Sequence, residues 1–158
     1  MSTDLIFPVQ VVLAFLTWSL LARWYLAPRL RGLSLQDALQ PLLVVQTIRY
    51  VGLSFLAPAV VKPTLAQSFA VPAALGTTIA AVLALAAIAA LRARSPLGVP
   101  LTWIVTVVGF LDFVNAFVQA RAAGAVVDLG AAYYIPIVIL PAAVVAHVMT
   151  AGLLLRRR

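Results

Sequence analysis

The chain contains no cysteine and no glutamate, one histidine, one lysine and four aspartates in 158 residues. Each shortage removes a class of chemistry. Without cysteine there are no disulfides, thiolate metal sites, iron–sulfur clusters or cysteine nucleophile, and the redox state of the compartment leaves no trace. A single histidine excludes haem held by two histidines of one chain. A metal ion would have to be held by Asp112, His147 and side-chain amides, a poor set for zinc, so no metal and no cofactor is expected. The lone Lys62 stands beside Pro63 in a connector, whereas a retinal-type Schiff base would need an amine in mid-span. No H-E-x-x-H, G-x-S-x-G or glycine-rich phosphate loop is present, and no two carboxylates sit on neighbouring turns. Ser54 and His147 would make a nucleophile and base only if they met. Their depths, about 20 Å and about 12 Å from one end of their spans at 1.5 Å per residue, disagree. An intramembrane enzyme is therefore the least supported of the functional readings.

What is abundant is hydrocarbon. Hydrophobic residues make up 65% and charged residues 9%, with a mean hydropathy of +1.13, against about 45–50% and about 25% in soluble proteins. The composition predicts an all-α integral membrane protein, and a span requires about 20 apolar residues. Five such runs are found, approximately 5–26, 41–61, 71–91, 99–120 and 133–155, forming a single helical domain over 1–158. The connectors between them gather proline, glycine and charge, as turns do. The opening MSTDLIFPVQ carries an acid and no base ahead of its apolar run, the wrong start for a cleaved signal, so the first run is expected to remain as a span. The net charge of +7 sits at span ends and does not interleave with exposed aromatics. Lipid, and no nucleic acid, is the expected partner.

Positive residues orient the bundle. Arg23, Arg29, Arg31, Arg92, Arg94 and Arg156 to Arg158 fall on one side, and Lys62 and Arg121 on the other, eight against two. Because basic loops stay in the cytoplasm, the amino terminus is expected outside and the carboxyl terminus inside, in a bacterial inner membrane. Trp18, Trp24, Tyr25 and Trp103 would then sit near the inner interface, and Tyr133 and Tyr134 near the outer one. The segment LSLQDALQ, 33–40, reads as a connector or as a short piece lying on the headgroups. Five spans do not divide into inverted halves, which weakens a transporter assignment. In the third span Gly76, Ala80 and Ala84 recur every four residues and admit a close neighbour, either another span or a second protomer.

Three ionisable residues stand inside spans: Arg49, Asp112 and His147. A central charge costs about 2.5–3.5 kcal/mol on insertion scales, whereas each Leu, Ile, Val or Phe returns about 0.3–0.6. The fourth run has twelve of these four residue types, so it inserts with Asp112 in place, but the charge then needs a partner. Counted from the cytoplasmic ends, Arg49 lies about 13 Å in, His147 about 12 Å and Asp112 about 19 Å. An extended arginine covers the difference, and the expectation is that Arg49 and Asp112 face each other across the bundle, where such pairs can be bidentate. Gln46 and Arg49 share a helical face, with Tyr50 four residues from Gln46. Asp112, Asn115 and Gln119 follow at i, i+3 and i+7, and His147 and Thr150 at i, i+3. Pro58, Pro136 and Pro141 fall within the runs and allow kinks.

Two readings follow. In one, Gln46, Arg49, Asp112, Asn115, Gln119 and His147 bind or relay a small polar solute or a proton, as intramembrane ionisable residues commonly do. In the other, the same groups fix helix register in an accessory or assembly subunit whose third span docks a partner or forms a homo-oligomer.

Overall fold

A computed structural model describes residues 5–156; Arg157 and Arg158, counted above in the positive cluster, lie outside the described residues. Among these residues there are five long helices: α1 (Ile6–Leu30), α2 (Leu35–Leu56), α3 (Gln67–Arg92), α4 (Gly98–Ala122) and α5 (Gly130–Arg156). All five are long and apolar enough to cross a membrane. They run up and down, so Arg29, Arg31, Arg92, Arg94 and Arg156 gather at one end of the bundle. Lys62 and Arg121 mark the opposite end.

The largest departure from the sequence reading is in α2. Pro41 reads as the first residue of a span, because proline suits a first turn, but the helix starts six residues earlier, at Leu35. Ser34 starts it: its Oγ accepts the Asp37 amide at 3.2 Å and donates to the Asp37 carboxylate at 2.5 Å. That cap, with an acid in the first turn, makes residues 35–40 helical and leaves no separate headgroup-lying piece or connector there. Proline is then tolerated inside the helix. The far end of α2 is also displaced. From Ile48 to Leu56 it tightens into a 3₁₀ helix, and Pro58 lies beyond it in a turn, outside any helix.

The 3₁₀ winding determines which side chains face inward. At three residues per turn, Arg49, Gly52 and Phe55 line up on one face, and all three are buried. Tyr50, which an α-helical period would keep near Gln46, is turned outward and is 60% exposed.

Arg94 ends α3 with a positive φ of 54°. Ser95 N–H donates to the Ala90 carbonyl at 2.9 Å and Arg94 N–H to that of Leu91 at 3.1 Å, the paired bonds of a Schellman cap, in which glycine is the usual residue. Arginine stands there instead, and its guanidinium reaches both carboxylate oxygens of Asp37, at 2.8 and 3.1 Å, tying the α3–α4 turn to the cap of α2. Because the pair is exposed, Arg94→Ala should lower thermal stability only slightly, read as a small shift in the unfolding midpoint that shrinks in high salt.

Packing falls into layers. Leu39, Leu43, Ala84, Ala87, Leu91, Val105 and Leu154 form an apolar cluster toward the arginine-rich end, joined by a smaller one of Leu30, Ala38, Leu42 and Ala146. Phe55, Leu65, Phe69, Ala70, Ala73 and residues of the α4–α5 connector form another toward the opposite end. The helices α2 and α3 make the most extensive pairing, followed by α3 with α4, and α1 packs along α5 with no comparable packing against α4. Ala80 and Ala84 are fully buried within the chain. The small-residue stripe of α3 is thus used by neighbouring helices of the same chain.

Candidate functional site

Between the two apolar layers lies a polar one. Arg49, Asp112 and His147 are all buried, at 3%, 7% and 5% exposure, and Gln46, Thr106 and Thr150 are buried with them. The corrected helix boundaries explain why the charges meet. From Leu35 to Arg49 and from Gly98 to Asp112 the count is the same, which places both at about 21 Å along their helices. The axial offset expected from the sequence disappears.

Arg49 Nη2 donates to Asp112 Oδ2 in a buried ion pair. The contact is not bidentate. The other terminal nitrogen, Nη1, donates to the Gly109 carbonyl at 3.3 Å, and the guanidinium carbon lies 3.9 Å from the centre of the Phe113 ring. Arginine is thus held by a carboxylate, a carbonyl and an aromatic face, all from one helix. Its Nε finds no partner among the described residues.

His147 faces the same turn of α4. Its Nε2 lies 2.9 Å from the Thr106 carbonyl. A carbonyl only accepts, so Nε2 carries a proton, and Nδ1 has no partner among the described residues. Phe113 meets the imidazole edge to face at 5.5 Å between ring centres. Gln46 Nε2 donates to the Ala143 carbonyl of α5 at 2.9 Å, and its Oε1 is buried with no partner among the described residues.

Glycine makes these contacts possible. A Cβ on Gly109 would stand 2.7 Å from both Arg49 Nη1 and His147 Cε1, and one on Gly76 would collide with Asp112 Oδ1. Gly76, the head of the small-residue stripe, is therefore the surface against which the carboxylate lies.

The structure brings Gln46, Arg49, Asp112 and His147 into one layer and leaves Asn115 and Gln119 out of it. Gln119 Nε2 donates to Asn115 Oδ1 at 2.7 Å along the edge of α4, and Asn115 is exposed. Two amides at i, i+4 satisfy each other and need no partner helix. Thr150 turns back on its own helix, donating to the Ala146 carbonyl at 2.8 Å. Among the described residues no three His or Asp side chains gather, and Ser54 makes no hydrogen bond with His147, whose Nε2 is held by Thr106.

Arg49 and Asp112 form the deepest part of a cavity of about 800 Å³ that extends toward the opposite end of the bundle. Its walls come from every helix, with Phe7 and Phe15 of α1, Phe55 of α2, Phe69 of α3, Phe117 of α4 and Ile139 of α5, and Arg121 stands at its rim. Thr77 adds a hydroxyl that donates to the Ala73 carbonyl at 2.7 Å. The α5 wall includes Pro136 inside a π-helical turn, Ile135–Ile139, a local winding frequently found at functional sites. Phe113, Gly109, Thr77 and the ring of phenylalanines were not singled out from the sequence. The signal for Gly109 and Phe113 was present, since they stand three before and one after Asp112.

Fold and site together define an all-helical bundle with five helices of membrane-crossing length and a buried arginine–aspartate pair at the bottom of an apolar cavity. The model of the family DUF8737, a domain of unknown function, matches residues 6–155, and the chain belongs to that family. No curated protein and no solved structure matches it.

Proposed function

We propose that the chain is a multi-pass protein of the bacterial cytoplasmic membrane, amino terminus outside and carboxyl terminus inside, and that it binds a small molecule in the Arg49–Asp112 cavity. Membrane insertion is supported by the outward-facing hydrocarbon: Val12, Leu13, Leu16, Phe110 and Phe117, among many others, are more than half exposed. Soluble monomers rarely show continuous apolar surface on that scale. Orientation rests on the arginine-rich end, which the positive-inside rule assigns to the cytoplasm.

The observation that carries the binding reading is the placing of the ion pair. An ion pair that served register alone would be best enclosed by packed side chains, yet this one borders a space of about 800 Å³, within the size range of small-molecule sites. Few polar groups converge in an otherwise apolar, aromatic-lined pocket, the usual composition of a ligand site. A proton relay is supported less, because Arg49 occupies the carboxylate and Thr106 occupies His147 Nε2. The subunit reading loses its docking stripe to packing within the chain.

The test is purification from native membranes in mild detergent, followed by mass spectrometry of the extracted small molecules. Ala116 lines the cavity and is partly exposed, so Ala116→Trp fills space without entering the ion pair. A molecule retained by the wild type and absent from a folded Ala116→Trp protein is the expected result. Identical extracts from both proteins would refute the reading.

A further inference from the structure

We propose, building on the binding reading above, that the ligand is a membrane-dissolved molecule with a long apolar body and a neutral hydroxyl head, and that it enters sideways between α1 and α4.

The head group follows from which hydrogen-bonding positions remain at the bottom of the cavity. Each terminal nitrogen of Arg49 spends one of its two N–H bonds, on Asp112 Oδ2 and on the Gly109 carbonyl, and keeps the other. Asp112 Oδ1 accepts no hydrogen bond from the described residues and lies against Gly76, where there is no side chain to cover it. Thr77 spends its proton on Ala73 and keeps its lone pairs. The residues at the cavity floor therefore carry acceptors, Asp112 Oδ1 and Thr77 Oγ1, beside the remaining N–H groups of Arg49, and the complement is a group that both donates and accepts. A hydroxyl does both without adding charge. A protonated amine would leave an uncompensated positive charge beside an arginine already neutralised by its aspartate, a costly arrangement in a low dielectric. A carboxylate or phosphate would set negative charge against Asp112 Oδ1.

The route follows from the packing of α1. This helix contributes Phe7, Val11 and Phe15 to the cavity wall but packs along α5 and has no comparable contact with α4. On the facing edge of α4, Val114 and Phe117 line the cavity and are at the same time 48% and 68% exposed. Residues that belong both to a cavity and to the outer surface mark its opening. This opening is flanked by valine and phenylalanine on both sides, at the level of the spans and away from the loops, so it faces lipid tails. An apolar body can pass there without leaving hydrocarbon, whereas a water-soluble solute cannot reach it without crossing lipid.

The experiment uses the full chain in phosphatidylcholine nanodiscs and, as probe, a long-chain primary alcohol carrying a mid-chain diazirine. Light should attach it to peptides of α1 and α4 that line the cavity. Excess hexadecan-1-ol should abolish the labelling and hexadecyl methyl ether, which cannot donate, should not. Thr77→Val, which keeps the shape and removes an acceptor, should weaken competition by the alcohol by about fivefold, the effect of roughly one hydrogen bond. Because the chain has no native cysteine, Phe15→Cys with Val114→Cys can be joined selectively by a bismaleimide, and labelling of the joined protein should fall to background. Competition by the ether equal to that by the alcohol overturns the assigned head group. Undiminished labelling of the joined protein overturns the sideways route. If no probe labels the cavity while the Ala116→Trp comparison still shows a lost molecule, this inference falls and the binding reading stands; if both are blank, both fall.

Discussion

Arg49→Met should leave a protein that is largely unfolded or aggregated in mild detergent, with stability reduced by about 3–5 kcal/mol, because Asp112 then remains buried without its counter-charge. The size of the effect says little about the worth of the pair itself, since most of it is the penalty of the orphaned carboxylate. A second variant makes the distinction. Arg49→Met combined with Asp112→Leu removes both charges and fills their space with hydrocarbon, which in other buried pairs is neutral or stabilising. The double variant should recover a monodisperse elution profile and an unfolding midpoint close to wild type. On the binding reading it should nevertheless retain none of the small molecule expected to co-purify with the wild type. A double variant that folds and keeps the molecule would show that the charges serve register alone.

Gly76→Ala should destabilise by about 1–3 kcal/mol, the usual effect of an added methyl group in a packed interior. The reason is local: the new Cβ would occupy the position of Asp112 Oδ1, so either the carboxylate or α3 must move. The control is Ala80→Gly, one turn along the same stripe. Ala80 is also fully buried, but there the change removes a methyl group and does not press on the charge pair. If the carboxylate is displaced and the cavity binds a molecule as proposed, Gly76→Ala should reduce its retention more than Ala80→Gly does at equal loss of stability. Chemical unfolding monitored by the fluorescence of Trp18, Trp24 and Trp103 measures the first quantity. Mass spectrometry of extracts measures the second.

The five spans were legible because hydropathy over about 20 residues is a strong, additive signal. The start of α2 was not, because Pro41 carries a first-turn preference while the actual cap, Ser34 with Asp37, lies in a stretch whose leucines and glutamines look like a surface connector. That error passed into the depth estimate, giving Asp112 an offset from Arg49 that the folded chain does not have. The pairing itself survived the error, since two opposite charges in hydrocarbon have few other destinations. Periodicity failed where winding changed: a period of 3.6 keeps Tyr50 with Gln46, and the 3₁₀ turn from Ile48 separates them. Gln119 lies nearly above Asp112 on a helical projection, but a partner four residues away is always available along one helix, and no sequence pattern tells which option an amide takes. The cavity was not legible at all. It arises from where α1 fails to meet α4, a matter of relative helix position that no single segment encodes.

The apolar layer beneath the ion pair has a consequence of its own. Leu39, Leu43, Leu91, Val105 and Leu154 are sealed to 2% exposure or less, and they stand between Arg49 and the arginine-rich end. Whatever occupies the cavity thus meets a dry plug on that side, and the bundle has the form of a vessel with a mouth and no drain. If the bundle crosses a membrane as proposed, passage from one face to the other would require those five side chains to part together, a rearrangement of the whole lower half of the molecule.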